Sequence, residues 1–191
     1  MPNPARRIAL ADAAIDVLAE EGARGLTFRA VDAKAGVPAG TTSNYFASRD
    51  ALLAAAGAHV FVRLAPDPAE VEARMRLPRD RELVARFMRD ILDRAVADGA
   101  GHLALLELRL ESTRKPELAA LFTDTMTRGL CDNIAFHLGA GLPGDRTTVE
   151  LLHVVMTGLI VEHLTLPGFL GREAVAALID ALVDKVVPRA E

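Results

Sequence analysis

The chain has 191 residues, half of them apolar and a quarter charged, with a formal net charge of −4. That length allows one large domain or two unequal ones with ample material for a core, and the balance excludes a disordered chain. The negative charge excludes binding to nucleic acid through a broad basic face, so a DNA partner would have to be met by a few well-placed cations.

The charge is unevenly spread. Residues 1–63 hold seven basic and six acidic side chains, a balance of +1, and the rest hold 15 and 20, a balance of −5. No uninterrupted apolar run reaches the roughly 18–20 residues of a membrane span. Arg6 and Arg7 are followed by a segment broken by Asp12 and Asp16, not by a signal-peptide core. Cys131 is the only cysteine and has no internal partner. The expectation is a cytoplasmic protein without a membrane partner. Lysine supplies only Lys34, Lys115 and Lys185 among the basic residues, a bias that fits a GC-rich bacterial genome.

In chain order, the first helical pattern begins near Pro4, runs through Leu10, Ala14, Ile15, Val17 and Leu18, and stops at Gly22, where glycine supplies a left-handed ending. Thr27 is an N-cap residue for a short second helix that ends at Gly36. A tight turn leads through Pro38 to a third helix over about 39–46, and Ser48 caps a fourth from Arg49 to about Leu64. Pro66 and Pro68 punctuate the chain, which sets a domain boundary at residue 65. Helices are then predicted over 68–76, 80–98, 101–113, 116–139, 146–166 and 172–187, with no strand and no internal repeat.

The segment 146–166 is apolar almost all round, so one core cannot bury it. With the last helix it offers Leu152, Val155, Leu159, Val175, Leu178, Ile179, Leu182 and Val186 as a candidate surface for a second copy, in the manner of a four-helix bundle. Central placement in a monomeric bundle is the equal alternative on periodicity alone.

Two short helices joined by a glycine-containing turn form the skeleton of a helix-turn-helix, whose second helix enters the major groove of DNA. The run "ADAAIDVLAEEGARGLTFRAVDAKAGVPAGTTSNYFASRDALL" resembles the DNA-binding domain of TetR-family transcriptional regulators. The likeness lies in "LAEEG", "GLTFR", "AGV" with "GT" soon after, "NYF", and a basic residue before "ALL". It covers roughly the first 60 residues.

The resemblance implies an all-α protein: an N-terminal three-helix helix-turn-helix domain over 1–65, then a helical-bundle ligand-binding and dimerisation domain over 66–191. It places Thr27 and Arg29 at the start of the bracing helix, and Ala39, Gly40, Thr41, Ser43 and Asn44 on the recognition helix. Tyr45 and Arg49 fall at positions that reach phosphate. Two residues depart from the family pattern. Thr42 stands where leucine or isoleucine is usual, and Ser43 where tyrosine is usual. The implied partners are a double-stranded DNA operator with two-fold symmetry, a second copy of the chain, and a small organic effector that shifts the spacing of the two DNA heads.

For the effector pocket, apolar and polar residues of the second region are candidates: Phe87, Met88, Glu107, Phe122, Met126, His153 and Met156, with core packing as the alternative for each. His137 within "AFHL" reads more simply as a buried histidine bonded to a carbonyl. No phosphate loop, dinucleotide glycine fingerprint, metalloprotease motif or nucleophile elbow is present, and the histidines do not repeat at metal-ligating spacing. The expectation is a regulator without catalytic activity, cofactor or metal, acting as a repressor. An activator or effector-independent DNA binder, and a helical small-molecule-binding protein or enzyme whose head no longer reads sequence, remain as alternatives.

Overall fold

In the computed structural model, which describes residues 3–189, all regular structure among those residues is helical. The elements are α1 (Pro4–Gly25), α2 (Phe28–Lys34), α3 (Thr41–Tyr45), α4 (Arg49–Arg63), α5 (Pro68–Arg74), α6 (Arg81–Ala97), α7 (Gly99–Ser112), α8 (Pro116–Gly139), α9 (Arg146–Thr165) and α10 (Arg172–Val186). Their ends follow capping chemistry. Asn3, Thr27, Ser48, Asp67, Asp98 and Asp145 each accept a backbone N–H from the first turn of the helix that follows.

The chain divides into two compact units. The first takes in residues 1–65 together with 98–125, and the second residues 66–97 together with 126–191. The first unit therefore contains α7 and the early part of α8 as well as the four helices before Pro66.

In the first unit, Leu10, Ile15, Leu18, Leu26, Val31, Phe46, Leu52 and Leu53 are almost fully buried in one cluster, joined by Ala104, Leu108, Leu118 and Phe122. Phe122 packs on Phe61 with ring centroids 5.5 Å apart and lies against Gly57, where a Cβ would come within 3.0 Å of the ring. Polar ties surround this core. Arg63 donates to Asp16 at 2.8 Å and, through two nitrogens, to Asp98 at 2.6 and 2.7 Å. Asp98 also caps α7 through the Gly101 N–H. The Arg63 contact holds the Asp98 carboxyl below the ordinary aspartate range, against the opposing effect of burial. The backbone of α1 breaks at Gly22, whose φ of 67° suits glycine. The Ala23 N–H released there is accepted by Glu107 at 3.1 Å.

In the second unit, α6, α9 and α10 pack on one another around two adjoining clusters. Leu83, Val84, Leu142, Leu152 and Val183 form one, and Leu92, Ala95, Met156, Ile160, Val175 and Ile179 the other. Arg81 reaches the Asp184 carboxylate at 3.0 Å, and Arg89 pairs with Asp180, tying α6 to α10. Cys131 is exposed on α8. By length and composition alone, α9 could cross a membrane, with a mean hydropathy of 1.2, although Glu150 and Glu162 interrupt its apolar run. Its buried stripe, Val149, Leu152, Met156 and Ile160, is part of the unit's own core.

Candidate nucleic-acid interface and ligand cavity

The segment from Thr27 to Arg49 is built from local constraints. Thr27 caps α2 by accepting the Ala30 N–H at 3.1 Å. The turn after α2 closes with the Val37 N–H on the Asp32 carbonyl. The recognition segment expected over 39–46 becomes helical only at Thr41. Gly40 holds a left-handed φ of 88°, and the Pro38 carbonyl accepts both the backbone N–H of Thr41, at 3.1 Å, and its hydroxyl, at 2.6 Å. Ala39 and Gly40 therefore precede the helix and do not lie on it. Gly40 is glycine because an ordinary side chain is strained at that φ.

Asp32 is the group that the sequence did not single out. It is only 3% exposed. Its Oδ2 accepts the Gly40 N–H at 2.7 Å, and its Oδ1 accepts the Thr42 N–H at 2.7 Å and the Thr42 hydroxyl at 2.6 Å. Burial pushes this carboxyl up, but the combined hydrogen bonds from Thr42, Gly40 and Thr41 outweigh it and hold it below the ordinary aspartate value. The polar residue at position 42 is thus a fully buried partner of Asp32.

At the other end of α3, the Tyr45 carbonyl accepts from Arg7 Nη1 at 2.7 Å. The Arg7 guanidinium lies 4.4 Å from the Phe46 ring centroid, within the range of a cation–π contact. Tyr45 is half-buried and its hydroxyl accepts the Asn3 N–H at 3.4 Å. Thr27 at the N-cap of α2, Arg29 on α2, and Ser43 and Asn44 on α3 are exposed, and the two helices pack together. Ser43 donates its hydroxyl to the Gly40 carbonyl at 2.8 Å, which leaves its lone pairs outward as acceptors.

Arg49, expected at a phosphate-contacting position, lies against the unit's own backbone. Its Nε donates to the Leu26 carbonyl at 3.0 Å and its Nη2 to the Ala23 carbonyl, so the guanidinium caps the end of α1. Lys34 likewise pairs with Glu20.

The second unit contains a cavity of about 470 Å³ lined by α5, α6, α8 and α9, a size suited to a drug-sized ligand. Phe87, Met88, His153 and Met156 line it, with Phe136, Ile91, Leu152 and Ile160. Phe87 and Phe136 meet edge to face at 5.9 Å between centroids. Arg74 and Asp90, also on the wall, form a two-point ion pair at 2.7 and 2.9 Å. His137 donates from Nε2 to the Pro143 carbonyl at 3.0 Å, which fixes its tautomer because the carbonyl can only accept. Glu107 and Phe122 do not line the cavity. Glu107 is spent on Ala23, and Phe122 is core of the first unit. Met126 is not part of the wall either.

The proposed dimer residues also separate. Leu152, Val175 and Ile179 are buried within their own unit. Leu159, Leu182 and Val186 are partly buried against its clusters, while Val155 and Leu178 are exposed. Among the described residues, no group of three or more His, Cys, Asp or Glu side chains could hold a metal ion.

Residues 10–56 match the family model for bacterial regulatory proteins of the tetR family, and residues 79–189, more than half of the chain, match the model for the tetracyclin repressor-like C-terminal domain. The chain belongs to the TetR family. It is a TetR-family transcriptional regulator with an N-terminal helix-turn-helix domain. A transcriptional regulator from Rhodococcus sp. Rha1 shares the fold at a TM-score of 0.71, with 22% identity over 94% of this chain and 95% of that one. A TetR-family member from Streptomyces coelicolor A3 aligns at 0.64, with 28% identity over 98% and 99%. The multidrug binding protein EbrR, in complex with ethidium, aligns at 0.63, with 28% identity over 96% and 99%. No curated protein matches the chain.

Proposed function

We propose that this TetR-family chain is a cytoplasmic repressor that binds a two-fold symmetric DNA operator as a homodimer and is released by a small, largely apolar organic effector. The observation that carries the reading is the exposed polar edge of α3, Ser43 and Asn44, with Thr27 at the N-cap of α2 and Arg29 on α2 also exposed. Ser43 and Asn44 supply hydrogen-bonding groups for base edges, asparagine being suited to adenine, and Arg29 supplies charge for phosphate.

One head with so few outward cations gives little counterion release and binds weakly. Linking two heads in a dimer multiplies their affinity and demands a symmetric site. Support for the dimer comes from an exposed stripe of small and apolar residues on each of α9 and α10. Leu151, Val154, Val155 and Gly158 on α9, and Ala174, Ala177, Leu178 and Ala181 on α10, are exposed at the i, i+3, i+4, i+7 spacing of a single stripe on each helix. Val154 alone is 67% exposed. A second copy covering both stripes would make the four-helix arrangement.

For the effector, the cavity walls and the Phe87–Phe136 pair suit an aromatic molecule, and the ethidium complex of EbrR makes ethidium a reasonable first probe. A ligand that prefers the DNA-incompetent state weakens operator binding by the same factor that operator weakens ligand binding.

The deciding experiment is selection from a random duplex pool at physiological salt, with Arg29→Ala and Asn44→Ala in parallel. A two-fold symmetric sequence, relaxed at one position by Asn44→Ala and weakened throughout by Arg29→Ala, is expected. Failure of the wild type to enrich any sequence removes the reading.

A further inference from the structure

The recognition helix is five residues long, far below the length at which a helix persists without outside support. Its N-cap residue, Gly40, has no side chain to satisfy the first-turn amides. Support arrives from α2. Asp32, buried beneath the segment, accepts from Gly40 N–H, Thr42 N–H and Thr42 Oγ1–H, all within 2.7 Å. A carboxylate there also opposes the positive end of the helix dipole. Thr42, on the inner side of α3, is fully buried, while its neighbours Ser43 and Asn44 are exposed.

We propose that Asp32 is a positioning residue for DNA recognition. By gripping Gly40 and Thr42 it sets the rotation and height of α3, and so where Ser43 and Asn44 meet a base edge, without touching DNA itself. The inference rests on the DNA-binding reading above. The two carboxylate oxygens have separate tasks, one for Gly40 and one for Thr42. Asparagine preserves only one acceptor and presents an amino group to the other N–H, so Asp32→Asn breaks one arm of the grip. Thr42→Val removes only the hydroxyl arm and leaves its backbone arm in place. Asp32→Ala removes everything.

The test uses the full-length protein and two duplexes of equal length and composition: the one that the wild type enriches from a random pool, and a shuffled version of it. Affinities are measured at a temperature where circular dichroism shows each variant folded. A loss confined to the fold would weaken both duplexes together. Mispositioning of α3 weakens the enriched duplex and spares the shuffled one, whose binding depends on phosphate charge. The ratio of the two affinities is expected to fall on the order of tenfold to a hundredfold in Asp32→Ala, the loss of buried hydrogen bonds to a charged group. Asp32→Asn and Thr42→Val should fall by successively smaller factors. They keep the proposal open to refutation if Asp32→Ala does not fold.

An unchanged ratio in the folded variants overturns the proposal while leaving the DNA-binding reading intact. A wild type that enriches nothing overturns that reading and the proposal with it. Amide hydrogen exchange on the protein alone tests the grip without DNA. Gly40 and Thr42 should exchange at least about tenfold faster in Asp32→Asn while the amides of α4 keep their wild-type rates, and unchanged rates at Gly40 and Thr42 overturn the grip itself.

Discussion

The two compact units solve the problem of a specific surface in opposite ways. In the head, a dense core carries a very short recognition helix that is held at one end by Asp32 and at the other by Arg7. In the second unit the helices enclose space: a cavity of about 470 Å³ whose walls include Val84, Leu152, Met156 and Ile160 from the same clusters that make its core. Rigid presentation needs every polar group satisfied, whereas capacity for a ligand needs packing left incomplete. The same chain therefore concentrates buried hydrogen bonding where a surface must be held still and leaves a void where a guest must enter.

Three substitutions probe this contrast, beginning with the most disruptive. Leu18, wholly buried in the head, should cost about 3 to 5 kcal/mol as Leu18→Ala, because the surrounding core cannot collapse into the hole. Denaturant unfolding would read this, and a small loss would mean the head is less tightly packed than it looks.

Asp98→Ala should cost about 2 to 3 kcal/mol, since it removes a helix cap and strips Arg63 of its two-point partner. Because the folded Asp98 carboxyl sits below its ordinary value, its contribution is present above the unfolded aspartate pKa and is lost as pH falls through the folded one. Melting temperatures measured downward from pH 6 should therefore decline less steeply in the variant than in the wild type.

Met156→Ala, on the cavity wall, should cost about 2 kcal/mol, at the low end for such truncations, because the side chain already borders empty space. The same variant should weaken ethidium binding, followed by dye fluorescence, if the cavity is the effector site. A cost as large as that at Leu18 would erase the distinction between the units.

The helices were readable because punctuation and periodicity agree. Asp and Ser caps, prolines and glycines fall where the apolar stripes begin and end. What the sequence concealed is partner choice across distance. Asp32 looks like any polar residue on a short helix, and its targets eight and ten positions later become visible only once the turn at Gly36 folds the segment back. Thr42 looks like a lost core residue because its hydroxyl has no evident partner until Asp32 is known to be buried. Arg49 carries the charge that a phosphate contact needs, yet its carbonyl partners lie at Ala23 and Leu26. Glu107 reads as a pocket acid by its apolar neighbours, but the break at Gly22 exposes an N–H that claims it. Periodicity likewise marks the apolar stripes of α9 and α10 without telling which stripe faces inward, so it groups Leu152 and Ile179 with Val155 and Leu178.

The pairing of Asp32 with Thr42 also constrains how this lineage can change. A buried carboxylate that loses its donors is far costlier than either the intact pair or an apolar pair of similar shape. Loss of the Thr42 hydroxyl takes one donor from a buried carboxylate that keeps its two backbone donors, so changes at positions 32 and 42 are expected to be coupled. Within such a lineage the two residues should be inherited as one character.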